Sequence, residues 1–328
     1  MHSTKVRVYA KVNLTLEIVA RESGFHLLDS LVTSVDVFDE IRLKKKKGKL
    51  SSIWMHGQGS ESIPPEKNNA LRAAELYSEA FGVDGADIEI FKNIPIGAGM
   101  GGSSADIAGV LVGMQRLYGG ATDEQLETLA QRLGSDVKFM LKGGYARMQG
   151  RGEKLTPLKG IDTPLHFLLI YPQNGVSAGE CYRRYDLQNE VDTPCGATEQ
   201  AIAAWQGGNA KDVGRYLMND LYAPASALCK DVEKALAEAK SFSPLGAVMT
   251  GSGSAVLALF ETEALCRWAK SRYKGKYKTQ VIKTFNPQAE KRGWSFPFAL
   301  RKDELETIQQ ASGGQETHQQ ENKQMEQD

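Results

Sequence analysis

The sequence predicts an α+β fold arranged as two domains, and three observations lead there. The chain has 328 residues with 41% hydrophobic content, more apolar material than one compact core usually organises, so two domains are expected. Its opening segments alternate apolar and polar residues like strands, and helical and strand-like spacings intermix after them. A stretch rich in Gly, Lys and Pro, from Gly150 to Pro164, separates two strand-like segments and marks the boundary.

From Val6 to Val19 the alternation is enriched in β-branched residues and continues through Leu27 to Leu43, so the chain begins with several strands. The segment Asn68 to Phe81 has helical spacing, and Asp87 to Phe91 alternates again. A glycine-rich loop then leads into a helix over Ser103 to Leu117. Thr-Asp-Glu at Thr122 opens a further helix to Leu133, and Gly134-Ser135-Asp136 leads to a brief one. Strands are expected over Gly143 to Met148 and His166 to Tyr171. Helices follow around Ala197 to Trp205, Ala210 to Met218 and Lys230 to Ala239, then strands over Ala247 to Thr250 and Ala255 to Phe260. A helix from Glu263 to Tyr273 and a strand near Thr279 to Thr284 close the order, which suits a layered α+β domain. The expected units are 1–155, 156–286 and a tail, 287–328. From Ile308 onward that tail is almost purely polar and cannot bury enough apolar surface to offset its ordering entropy, so it reads as disordered.

Forty basic residues balance forty acidic ones, which argues against a nucleic-acid or anionic-membrane partner and for a small molecule. Cys181, Cys195, Cys229 and Cys266 are far apart and form no CxxC pair, so neither a zinc site nor a redox dithiol is indicated. Free thiols fit a reducing cytosol. There is no secretory signal pattern and no stretch long enough to span a bilayer, so the expected location is cytoplasmic. Lys44 to Lys47 ends a strand and reads as a solvated edge that discourages sheet-to-sheet pairing.

The segment IPIGAGMGGSSAD (Ile94 to Asp106) carries the chemistry. Pro95 stiffens its entry. Gly97, Gly99, Gly101 and Gly102 let the backbone approach a ligand, and Ser103 and Ser104 add hydroxyls at a helix start, so the segment reads as an anion site. A flexible turn before a helix is the alternative, and the pattern is neither GxxxxGK[ST] nor a Rossmann GxGxxG. Read singly, Asp136 is equally a helix cap and Lys11 a solvated strand residue.

The loop resembles the second conserved segment of the superfamily of galactokinase, homoserine kinase, mevalonate kinase and phosphomevalonate kinase, the GHMP kinases. With AKVNLTLEIVARESGFH (Ala10 to His26), LGSDVKFMLKGGYARMQGRGEKL (Leu133 to Leu155) and MTGSGSAVLALF (Met249 to Phe260), the chain is most similar to the 4-diphosphocytidyl-2-C-methyl-D-erythritol kinase family of the non-mevalonate isoprenoid pathway, over Val6 to Thr284. The resemblance implies an amino-terminal domain like the second domain of ribosomal protein S5, a ferredoxin-like carboxy-terminal domain and a cleft between them. It implies that Asp136 accepts the proton of the substrate hydroxyl while Lys11 orients it and stabilises developing charge. It places ATP against Asn68, Pro95 and the loop from Gly97 to Ser104. It places the acceptor alcohol against Asn13, Phe25, His26, Gly251, Ser252 and Gly253, with Phe25 stacking on a pyrimidine and His26 reading its edge. Mg²⁺ is expected to arrive with ATP, held largely by phosphate oxygens and water, since no protein cluster has metal-ligand spacing. Asn219-Asp220-Leu221 matches a family segment without a catalytic role. The chain departs from the family pattern in having Phe25 for Tyr, Asn69 after Asn68, Lys138 and Ser254 where Pro is common, and serines shifted by one place in the loop; Lys138 is expected to put a cation close to Asp136. Oligomeric state is not legible. The competing readings are a kinase of another small alcohol and a catalytically silent nucleotide-binding relative.

Overall fold

The computed structural model describes residues 2–57, 59–60, 63–188 and 195–287; the expected polar tail lies, from residue 288, outside them. The alternating opening folds as β1 (Ser3–Asn13), β2 (Thr15–Glu22) and a single long strand, β3 (Phe25–Lys45). β3 is the spine of the first sheet. Its first part lies between β2 and β6 (Tyr145–Gly150), and its second part between β1 and β5 (Ala86–Phe91). The short β4 (Ser52–His56) runs parallel to β5, and β7 (Lys154–Pro157) forms a hairpin with β6. β4 and β7 are too short to show period-two patterning, and the sequence reading passes over both. Lys44 is paired with strands on both sides and Lys45 with β5, so the start of this lysine run does not border an open edge. Lys46 instead pairs with Asp87, and the Lys45 ammonium lies 4.6 Å from the Tyr118 ring centre.

Helices α1 (Asn69–Phe81), α2 (Gly102–Tyr118), α3 (Asp123–Leu133) and α4 (Val137–Lys142) form where expected. Asn68 caps α1 by accepting the Ala70 N–H, and Thr122 and Gln125 make a reciprocal capping box on α3. α2 packs hard on the sheet: a methyl group at Gly109 would collide with Ile41 and stand 2.8 Å from Val8. Its glycines therefore admit the sheet where any side chain would hold it off.

The second sheet is antiparallel in the order β10-β11-β8-β12, formed by β8 (His166–Tyr171), β10 (Gly246–Met249), β11 (Val256–Phe260) and β12 (Lys278–Lys283). Among the described residues its helices are α5 (Ala178–Gln188), α6 (Ala197–Gln206), α7 (Ala210–Arg215), α8 (Tyr222–Leu228), α9 (Lys230–Lys240) and α10 (Glu263–Arg272). α5 and α8 are absent from the sequence-based expectation; α5 is mostly polar and α8 carries Pro224. The two-residue strand β9 (Met218–Asn219) crosses back to pair in parallel with β2. Apolar side chains of both sheets, Leu31 and Leu257 among them, share one buried core.

Buried Glu17 on β2 ties the layers together. Its carboxylate accepts the N–H groups of Gly196, Ala197 and Thr198, which begin α6 and would otherwise lack partners. Burial alone would raise its pKa, but the bonds from Thr198 and its neighbours outweigh burial and hold it below the ordinary range. A depressed carboxylate pKa contributes stability that is complete above the unfolded-state value, about 4.3, and is lost as pH falls through the folded-state value. Glu17→Ala is expected to cost about 1–3 kcal/mol and to flatten the acid limb of a denaturation-versus-pH curve; an unaltered acid limb would refute this.

Candidate active site

The glycine loop joins β5 to α2. Gly97, Gly99 and Gly101 have φ of +70°, +76° and +71°, and the side chains between them, Ala98 and Met100, are buried. Left-handed glycines thus alternate with anchored residues, which holds the loop backbone open to a ligand. α2 begins without a side-chain cap and without an acidic residue in its first turn, so its N-terminus suits an anion. Asn68, Pro95, Gly97, Gly99, Gly101, Gly102, Ser103 and Ser104 line one cleft of about 260 Å³ with Met55, Ile63 and Lys67.

A second cleft, of about 380 Å³, lies across the loop. Lys11, Asn13, Asp136, Gly251 and Ser252 line it, together with Arg151, Tyr182, Ser135 and Leu28. Gly99, Gly101 and Ser104 line both clefts. A group held in one is therefore separated from a group in the other only by the loop and the Ser104 hydroxyl. Of the two loop serines, Ser104 is the one facing both.

β1 parts from β3 at an irregularity between Tyr9 and Lys11, where the Lys11 N–H donates to the Met100 carbonyl of the loop. Such a bulge re-aims the next side chain. The buried Lys11 Nζ lies 3.3 Å from Asp136 Oδ2 and donates to Asn13 Oδ1 at 2.6 Å. Asn13 in turn donates to Ser30 Oγ. Asp136 precedes α4, yet its side chain makes no capping bond. Neither the capping reading of Asp136 nor the solvated reading of Lys11 describes these residues: both are turned to the cleft. Lys138 does not add a cation beside Asp136; it pairs with Glu127 at 3.2 Å, because the helix carries it to the α3 side.

The turn after β10 docks on the loop. Asn13 N–H donates to Thr250 Oγ1, and Asn219 Nδ2 donates to the carbonyls of Met249 and Gly251, so the Asn219 segment positions this turn. Gly253 is not part of the cleft lining and faces Met249 and Val232.

Phe25 and His26 are likewise outside the lining. Phe25 is 47% exposed, and the Arg151 guanidinium lies over its ring at 3.6 Å from the centre. His26 stacks on Tyr182 at 4.8 Å, with Nε2 2.6 Å from Asp186. Their neighbours Arg151 and Tyr182 do reach the cleft. Burial first, and then the Asp136 charge, push the Tyr182 phenol up, so it stays a hydrogen-bond donor. Tyr182 lies on α5, which the sequence did not reveal, whereas Arg151 stands inside the quoted segment Leu133 to Leu155.

Comparison with known proteins bears directly on this arrangement. Residues 68–146 match the GHMP kinases N terminal domain and residues 198–271 the GHMP kinases C terminal domain. The chain is 34% identical over 281 residues to the 4-diphosphocytidyl-2-C-methyl-D-erythritol kinase of Clostridium beijerinckii, covering 85% of this chain and 98% of that protein. It belongs to the 4-diphosphocytidyl-2-C-methyl-D-erythritol kinase family. A relative of the same description from Caldanaerobacter subterraneus subsp. tengcongensis is 36% identical over 271 residues, covering 80% of this chain and 90% of its own. A solved structure of a 4-(cytidine 5'-diphospho)-2C-methyl-D-erythritol kinase superposes with a TM-score of 0.70 at 30% identity, covering 86% of this chain and all of that one. Homoserine kinase from Cytophaga hutchinsonii, at 20% identity, shares the fold with a TM-score of 0.68 over 87% of this chain and 96% of its own. The chain is thus a small-molecule kinase that uses ATP, with the two-domain α+β fold of the GHMP kinases.

Proposed function

We propose that this kinase transfers the γ-phosphate of ATP to the 2-hydroxyl of 4-diphosphocytidyl-2-C-methyl-D-erythritol, giving the 2-phosphate and ADP, as a cytoplasmic step of isoprenoid synthesis. The observation that carries the reading is the pair of clefts meeting at Gly99, Gly101 and Ser104, with Lys11 and Asp136 on the far side. ATP enters the cleft lined by Asn68 and the loop, its phosphates against the backbone and the α2 N-terminus. The alcohol occupies the other cleft, where Asp136 takes the hydroxyl proton as the oxygen bonds to the γ-phosphorus and the bond to the ADP oxygen breaks. Lys11, held by Asn13, orients the hydroxyl and offsets the charge that develops on it. Mg²⁺ arriving with the nucleotide would be held largely by phosphate oxygens and water and would supply charge neutralisation there.

ATP consumption by the purified protein is expected to depend on this alcohol, followed as ADP release; no turnover with it would sink the assignment. A second reading, the same chemistry on another alcohol, is favoured by one observation: the Phe25 face expected to meet a pyrimidine is covered by Arg151. A panel of acceptors with and without a cytidine group separates the two.

A further inference from the structure

Beneath the loop lies a group of charges that the transfer itself does not use. Lys92 Nζ is 2.5 Å from Asp39 Oδ2 and 2.7 Å from Asp106 Oδ2, with the three side chains 5%, 0% and 7% exposed. A methyl group on Gly102 would stand 3.4 Å from that ammonium, so the cluster sits directly under the start of α2. Lys92 and Asp106 both line the nucleotide cleft.

Two carboxylates sharing one buried ammonium leave a net negative charge beside the place where a polyanion must bind. A proton on one carboxyl removes it most cheaply. The hydrogen bonds decide which one. Asp39 accepts from Lys92 and from the Asn93 and Ile94 N–H groups. Asp106 accepts from Lys92 through Oδ2, while its Oδ1 is buried and has no partner. A well-supplied carboxylate stays ionised and a poorly supplied one takes the proton.

We propose that Asp106 takes up one proton from solvent as ATP enters and is neutral in the complex, so that the cluster no longer sets a net negative charge against the phosphates. Lys92 holds Oδ2 and leaves Oδ1 for the proton. Burial pushes the Asp106 carboxyl up to about 7 despite the attraction of Lys92, with the Asp39 charge adding to the rise. The titratable groups facing it are Lys92 and Asp39, and Lys67 lines the same cleft. The inference rests on ATP use alone and is indifferent to which alcohol is phosphorylated.

Calorimetry of MgATP binding in buffers of different ionisation enthalpy tests it without any acceptor. At about pH 8, where the nucleotide has no proton left to gain, wild type is expected to take up most of one proton per ATP bound. Asp106→Asn, which keeps a neutral group of the same shape, should take up essentially none. In the same way the KM for ATP should rise about tenfold per pH unit above the Asp106 titration in wild type and be flat in the variant, with kcat at saturating ATP following no such slope. A purely structural Asp106 would give equal proton uptake in both proteins, and that result overturns the proposal. Zero uptake by wild type overturns it as well, whether or not the variant folds.

Discussion

Asp136→Asn is expected to lower kcat by about 10³-fold while leaving the KM for ATP within a factor of about two. The carboxylate lines the cleft of Lys11 and no part of the cleft of Asn68, so ATP held as proposed does not call on it. An amide cannot take the hydroxyl proton, and only the transition state feels that loss. Because the Asp136 side chain makes no bond to α4, the helix keeps its start, but the buried Lys11 loses its counter-charge, so the variant should fold with a lowered melting temperature. Steady-state ADP release with saturating alcohol checks the first claim and thermal unfolding the second. Turnover near the wild-type rate would remove Asp136 as the base. Lys11→Met is expected to impair kcat as well, again with a loss of stability, since Lys11 is buried and its removal leaves Asn13 Oδ1 without its donor.

Gly99→Ala is expected to abolish nucleotide binding. The residue has φ +76°, where a side chain costs about 1–2 kcal/mol. The larger penalty is steric. A methyl there would overlap the Thr250 carbonyl and stand 3.0 Å from Gly253 N, both backbone atoms of a turn that Asn219 and Asn13 hold in place. Neither loop nor turn can yield alone, so the two sheets' contact at the cleft must open and the shared wall of the two clefts with it. Equilibrium binding of ATP should fall by more than about 100-fold, the equivalent of about 2.7 kcal/mol, with a lowered melting temperature. Ala at Gly82 is the contrasting control: φ is +67° but nothing lies within 4 Å, so only the conformational cost applies and ATP affinity should hold.

Much of this protein is legible in its sequence because the relevant physics is local. Asn68 before an apolar-faced helix, the Thr122 and Gln125 capping box and the glycines that end strand β5's loop are decided by residues a few places apart. The same holds for the loop from Gly97 to Ser104, whose left-handed glycines run into the uncapped start of α2. Charge partnership is not local. That Lys11 is buried against Asp136, that Lys138 turns to Glu127, and that Lys44 lies inside a sheet follow from strands and helices brought together across the chain. The rings at Phe25 and His26 make the same point: each has one face met by a residue of another element, Arg151 or Tyr182. The sequence by itself determined the glycine-rich loop and the helix that follows it. Tertiary structure alone decided which side chains face which cleft, because desolvation and pairing depend on what packs nearby in space, not on what stands nearby in the chain.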